Sequence, residues 1–196
     1  MLYRKSYDKL LRWKNQKNRT ALCIQGARQI GKTTLVREFG KKEYASFIEF
    51  NFVSNVDARR AFDGNLDADS IIERLTALAR KPFIEGNTLI LFDEIQECPN
   101  ARSAIKFLVE DGRFDYIETG SLLGVMNKAV RSLPVGFEEL LTMYPMDFEE
   151  FIVANGVQKT TLDSLRKAYE ERKPLSDIIH ETLNEPPRGR TPRYPT

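Results

Sequence analysis

The sequence predicts an α/β domain, in which a mostly parallel sheet is flanked by helices. Short apolar runs that favour strands alternate with segments whose apolar residues recur at helical spacing. The run from Leu89 to Phe92 has four consecutive apolar residues, as in a strand that is buried on both faces. A length of 196 residues is enough for one such domain with its own core.

The predicted elements alternate along most of the chain. A helix over residues 2–16 places its apolar side chains on one face, and a strand over residues 20–25 and a helix that Gly40 ends follow it. Alternating strands and helices build parallel sheets with right-handed crossovers and helices on both faces. The further predicted strands cover residues 44–52, 87–95, 114–121 and 135–144, and the further helices cover residues 54–62, 67–81, 101–112 and 147–156.

The C-terminal part of the chain differs in composition from the rest. The segment after residue 156 has the polar composition of one or two surface helices, and four of the nine prolines fall in the last eleven residues. Proline and arginine in that proportion do not favour a packed element. We therefore predict a main domain over residues 1–155, a short helical extension over residues 156–185 and a disordered Arg/Pro tail over residues 186–196.

Composition and charge exclude several classes of protein. The 30 basic and 28 acidic residues leave a net charge of +2, which gives no overall electrostatic case for nucleic acid. Nucleic acid stays open only through the basic N-terminal helix and the Arg-rich tail. Two cysteines are too few for a disulfide framework, and no signal peptide or apolar run of about 18 residues is present. We therefore expect a cytoplasmic protein that does not enter a membrane.

The stretch GARQIGKTT, Gly26 to Thr34, matches the P-loop pattern of glycine, four residues and Gly-Lys-Thr. Glycines let backbone amides turn toward phosphates, and the following helix presents its positive N-terminus. We expect Lys32 to contact the β- and γ-phosphates of ATP and the Thr33 hydroxyl to bind Mg²⁺. The predicted nucleotide-binding residues are Gly26, Ala27, Arg28, Gln29, Ile30, Gly31, Lys32, Thr33 and Thr34.

Two acids follow the most apolar strand of the chain, in the sequence LILFDE. An acid at the carboxyl end of a buried strand is expected to hold the metal of a P-loop enzyme, and Asp93 takes that position. Glu94 is the next residue and is suited to polarise the attacking water as a general base. The alternative for Asp93 is an acid in an ordinary turn after a strand.

Hydroxyl groups and arginines complete the set of candidates. Thr119 and Ser121 end a further strand, where a hydroxyl could meet the γ-phosphate, and the sequence does not decide between them. A Ser/Thr-Gly turn explains the same residues nearly as well. Phosphoryl transfer also takes an arginine, from the same chain or from a neighbouring copy in a homo-oligomer. The candidates are Arg28, Arg113 and Arg131, of which we select Arg131. The alternative for each is a surface or ion-pairing arginine, because arginines are mostly exposed and only one or two could serve.

Four segments together resemble a family of prokaryotic AAA+-like ATPases, which are distant relatives of the archaeal ATPases. They are GARQIGKTTLVREF, LILFDEIQECPNARSAIKFLVED, YIETGSLLG and LPVGFEELLTMYPMDFEEFI, and the resemblance covers residues 3–175. It implies that residues 26–34 form the Walker A loop, that Asp93 and Glu94 form the Walker B pair, and that ETGS ends the sensor strand.

The chain departs from this family in two respects. Many relatives have a basic residue after the glycine that precedes the ELLTMYP strand, whereas Phe137 follows Gly136 here. Relatives also continue through a winged-helix-like part and a C-terminal domain that resembles restriction endonucleases. The expectation from the sequence is therefore a truncated member of the family, as a fragment, a frame-disrupted gene product or a shortened variant.

Several functions are compatible with these residues. The first is ATP binding with Mg²⁺-dependent hydrolysis. The alternatives are a module that binds ATP without turnover and an ATP-dependent regulator associated with DNA. A small-molecule kinase is disfavoured, because adjacent Asp93 and Glu94 suit water as the acceptor. A guanine-specific switch is also disfavoured, because the sequence has no Asn-Lys-x-Asp segment.

Overall fold

A computed structural model describes residues 3–121, 136–174 and 177. Five strands in these residues form one sheet in the order β2-β3-β4-β1-β5, and every neighbouring pair is parallel. The predicted α/β class is therefore confirmed. The strands are β1 (Ala21–Gly26), β2 (Ser46–Asn51), β3 (Thr88–Asp93), β4 (Asp115–Ser121) and β5 (Glu138–Thr142).

The helices lie where the apolar periodicity places them. Asn55 and Asp67 each accept a hydrogen bond from a backbone amide three residues on, which fixes the start of a helix. A 3₁₀ turn at Ile95–Glu97, which the sequence pattern did not indicate, follows β3. The helices are α1 (Lys5–Lys14), α2 (Lys32–Glu43), α3 (Val56–Arg60), α4 (Ala68–Leu78), α5 (Pro99–Asp111), α6 (Phe148–Ala154) and α7 (Lys159–Glu170).

The sheet has a separate apolar cluster on each face. Successive side chains of a strand point to opposite faces, so Leu22 and Ile24 of β1 join one cluster and Ala21 and Cys23 join the other. The first cluster includes the buried residues of α1 and α2, and the second includes those of α3, α4 and α5. Coverage of both faces explains why β3 is apolar at four successive positions.

The chain divides into two compact units. Residues 6–144 form the larger unit, which contains the whole sheet. The described residues of the smaller unit are 3–5, 145–174 and 177. Within it, Asp147 and Glu150 form a reciprocal capping box that starts α6. Arg166 of α7 donates two hydrogen bonds, of 2.7 and 2.6 Å, to Glu149 of α6.

Two of the sequence predictions concern residues outside the described ranges. Arg131 and the Arg/Pro tail over residues 186–196 both lie outside them. The predicted domain limits at residues 155 and 185 stay predictions. None of the helices in the described ranges is long and apolar enough to cross a membrane.

Candidate phosphate-binding site

The loop between β1 and α2 has a backbone conformation that few sequences allow. A Cβ atom on Gly26 would lie 2.3 Å from the carbonyl oxygen of Met143, so only glycine fits at the end of β1. Gln29 and Gly31 have positive φ angles of 61° and 89°. Left-handed residues in such a turn make successive N–H groups face inward, which creates a concave site for an anion.

Gly31 is the N-cap of α2 and has no side chain, and in the described part of the chain no side chain caps this helix end. The first amides of a helix have no partner within the helix, and they carry the positive end of its dipole. The combination of a loop with left-handed residues and a helix start without a side-chain cap is suited to a bound phosphate group.

Lys32 is the first residue of α2, and its side chain folds back over the loop. Its Nζ atom donates hydrogen bonds to the carbonyl oxygens of Ala27 at 2.7 Å and Gly26 at 3.2 Å. Only 8% of the residue is exposed. Burial lowers the pKa of the Lys32 ammonium, and the negative charges of Glu94 and Asp93 partly oppose that effect. A further anion beside the loop would therefore stabilise the charged form of Lys32.

Asp93 accepts hydrogen bonds from three side chains. Thr33 donates to its Oδ1 atom at 2.8 Å, and Asn51 donates to its Oδ2 atom at 2.7 Å. Thr119 also donates to Oδ1. Only 4% of the residue is exposed, and the three hydrogen bonds hold its carboxylate in one orientation beside the start of α2. Charge-assisted hydrogen bonds of this kind are about twice as strong as neutral ones.

The register of the sheet brings these residues together. Asn51 lies opposite Asp93, and Asp93 lies opposite Thr119 on the next strand. All three are at the carboxyl ends of parallel strands, which is the edge where ligands bind in such sheets. Sequence reasoning missed Asn51. A polar residue at the end of an apolar strand is a signal that the sequence offers. The sequence does not show that Asp93 is its neighbour in the sheet.

Glu94 has an unusual backbone conformation. Its φ and ψ angles are 58° and 51°, in the left-handed region that a residue with a side chain occupies at a cost of about 1–2 kcal/mol. The residue with this conformation lies between the end of β3 at Asp93 and the 3₁₀ turn at Ile95–Glu97. Its Oε2 atom accepts a hydrogen bond from Gln96. Such outliers often occur at functional sites.

The other predicted residues are distributed as follows. Ser121 lies opposite Gly26 across the β1–β4 pair, so it is at the same sheet edge as Thr119. Arg113 is bound to Asp111 and Asp69, which indicates an ion-pairing role. Ile30 is partly buried, and the exposed residues of the predicted set are Ala27, Arg28, Gln29 and Thr34.

The chemistry of these groups suits a polyphosphate and a hard divalent cation. The Thr33 hydroxyl and the Asp93 carboxylate are oxygen donors 2.8 Å apart, and oxygen is the ligand atom that Mg²⁺ prefers. The residues present therefore fit a magnesium ion beside the loop.

A family model described as an AAA domain matches residues 18–152, more than half of the chain. Three solved structures are similar over most of this chain, with low sequence identity. The Walker-type ATPase PABY2304 of Pyrococcus abyssi has a TM-score of 0.49 and 14% identity, with 93% of this chain and 63% of that chain covered. The Aeropyrum pernix ORC1 protein in complex with DNA has a TM-score of 0.47 and 15% identity, with coverages of 91% and 63%.

The third structure, C. elegans PCH-2, has a TM-score of 0.41 and 15% identity, with 85% of this chain and 44% of that chain covered. This chain spans less than two thirds of the length of each of the three. No match was found among the curated proteins.

Proposed function

The chain belongs to this AAA domain family, and from that premise we propose that it binds ATP with Mg²⁺ and hydrolyses it to ADP and phosphate. The observation that carries the proposal is the hydrogen bond between Thr33 and Asp93. It joins the first turn of α2 to the carboxyl end of β3, although the two residues are 60 positions apart. A P-loop ATPase needs these two groups side by side.

We assign the phosphates to the loop over residues 26–34. Backbone amides at the start of α2 face the phosphate chain, and Lys32 exchanges its bonds to the Gly26 and Ala27 carbonyls for bonds to the β- and γ-phosphates. Thr33 and Asp93 would hold Mg²⁺, which offsets negative charge on the phosphates when bound. This arrangement also supplies the anionic partner that the buried Lys32 ammonium favours.

In the proposed hydrolysis, Glu94 accepts a proton from a water molecule as the water oxygen attacks the γ-phosphorus. The bond from that phosphorus to the bridging oxygen of ADP breaks, and ADP leaves with the electron pair. We assign Thr119 and Ser121, which lie at the same sheet edge, to the neighbourhood of the γ-phosphate. Thr119 would exchange its hydrogen bond to Asp93 for one to the γ-phosphate or the attacking water. Gln96 donates a hydrogen bond to the Glu94 carboxylate and so orients it.

The metal part of the proposal is tested with Asp93→Asn. We expect the Mg²⁺-dependent part of ATP affinity to fall roughly 10–100-fold, because the amide removes a charged metal ligand while keeping the shape of the side chain. Isothermal titration calorimetry with ATP, first in excess Mg²⁺ and then in EDTA, measures the ATP affinity with and without the metal. Affinity in EDTA should change much less.

The matched control is Asp57→Asn, because Asp57 is an exposed acid of α3 whose ion pair with Arg60 is also exposed. It should keep the Mg²⁺ dependence of the wild type. If Asp93→Asn kept that dependence as well, Asp93 would not be a metal ligand and the proposed arrangement would be wrong.

A further inference from the structure

A second group of ionisable side chains lies inside the larger unit, on the face of the sheet that packs against α5. Cys23 of β1 lies opposite Glu118 of β4, and Glu138 is the first residue of β5. One ligand atom from each of these three residues lies within 4.8 Å of the other two. Arg102 of α5 completes the set, which we call the buried cluster.

Arg102 and Glu138 form an ion pair. The Nη2 atom of Arg102 lies 3.2 Å from one Glu138 oxygen and 3.3 Å from the other. Their side chains are only 2% and 6% exposed. One guanidinium therefore offsets the charge of one carboxylate in a region that excludes water.

Glu118 is the unexplained member of the buried cluster. It is fully buried, and neither of its carboxylate oxygens has a hydrogen-bond partner within the described ranges. An ionised carboxylate that is buried without a partner costs several kcal/mol, so a proton or a cation has to accompany it. Burial, followed by the charge of Glu138, raises the pKa of the Glu118 carboxyl well above its usual range.

The charges of the buried cluster favour a divalent cation over a monovalent one. With the thiol and both carboxyls ionised, three negative charges face the single positive charge of Arg102. The sum is −2, which a divalent ion cancels. Without such an ion, protons have to neutralise the same groups, and burial accordingly raises the pKa of the Cys23 thiol as well.

We propose that Cys23, Glu118 and Glu138 bind a zinc ion that ties β1, β4 and β5 together. Zinc accepts thiolate and carboxylate ligands in the same site, whereas Mg²⁺ requires oxygen ligands and keeps most of its water. Arg102 donates hydrogen bonds to the Glu138 carboxylate, as partners of metal ligands commonly do. The zinc site shares no residue with the magnesium site at Thr33 and Asp93.

The first test is metal content. The protein is expressed with added zinc, passed over a desalting column and analysed by mass spectrometry for bound metal. We expect about one zinc per chain in the wild type, and roughly tenfold or greater loss in Cys23→Ser and Glu118→Gln. Cys98→Ser is the matched control, since Cys98 is also buried but lies outside the buried cluster. It should retain its zinc.

A second readout identifies the thiolate. Cobalt substituted for zinc gives a near-ultraviolet charge-transfer band when a thiolate binds it, and we expect that band in the wild type and Cys98→Ser but not in Cys23→Ser. Fluorescence of Trp13, which is buried in the same unit, confirms that each variant is folded.

Two results would overturn the zinc proposal. One is a folded wild-type protein that takes up no zinc. The other is equal zinc content in the Cys23 and Cys98 variants. Lys32→Ala should keep its zinc. Loss of ATP binding at residues 26–34 and loss of zinc from the buried cluster are therefore separate results, and each tests its own proposal.

Discussion

Replacement of Glu94 by Gln is expected to slow ATP hydrolysis by roughly 10²–10⁴-fold, the usual contribution of a general base. The amide keeps the size of the side chain and can still interact with Gln96, but it cannot accept a proton from water. ATP affinity should stay near that of the wild type, because the proposal assigns the phosphates to the loop over residues 26–34 and not to Glu94. The effect is therefore expected on kcat and not on nucleotide binding.

Phosphate release under single-turnover conditions measures this effect, with ATP affinity determined in parallel. Glu97→Gln is the matched control, because Glu97 is an exposed acid in the same 3₁₀ turn and should hydrolyse ATP at the wild-type rate. Equal phosphate release from Glu94→Gln and the wild type would remove Glu94 from the mechanism. Tight ATP binding by a wild type that releases no phosphate would instead indicate a module without turnover.

Replacement of Arg102 by Met should lower the free energy of unfolding by about 3–5 kcal/mol, a large part of the stability of a domain of this size. Arg102 is the buried cation beside Glu138, and Met has a similar length without the charge. Its loss leaves Glu138 and Glu118 facing each other in a site without water. Replacing Glu118 by Gln in the same chain should recover part of the stability, because it removes one of the two acids.

Urea unfolding followed by Trp13 fluorescence measures this change in the presence of a chelator. Trp13 is the only tryptophan and lies in the same unit as Arg102. Arg60→Met removes an exposed ion pair with Asp57 and should change stability by about 0.5 kcal/mol or less. If Arg102→Met and Arg60→Met had the same free energy of unfolding, the Arg102 guanidinium would not be needed to stabilise the acids of the buried cluster.

The strand–loop–helix junction over residues 26–34 could be predicted from the sequence because its requirements are local. Glycine at residues 26 and 31 and the Lys-Thr pair that follows are needed at fixed spacing within one strand–helix junction. The position of Asp93 follows almost as directly, since the strand before it is the most apolar in the chain. The alternation of strands and helices was likewise sufficient to predict the α/β class.

Other features depend on which strands become neighbours. Asn51 binds Asp93 only because β2 pairs with β3, and no local pattern specifies that pairing. Glu118 and Arg102 are ordinary charged residues in the sequence, and their burial follows from the packing of α5 against the sheet. The left-handed conformation of Glu94 was also beyond prediction, because non-glycine residues rarely adopt it.

The most direct test of the central claim is thermal unfolding of the wild type, Lys32→Ala and Lys41→Ala with and without ATP and Mg²⁺. Lys41 is an exposed lysine in the last turn of the same helix and serves as the matched control. At ATP concentrations about 100 times Kd, the wild type and Lys41→Ala should gain about 2.7 kcal/mol, and Lys32→Ala should gain much less. An equal gain in all three proteins would contradict the assignment of the phosphates to this loop.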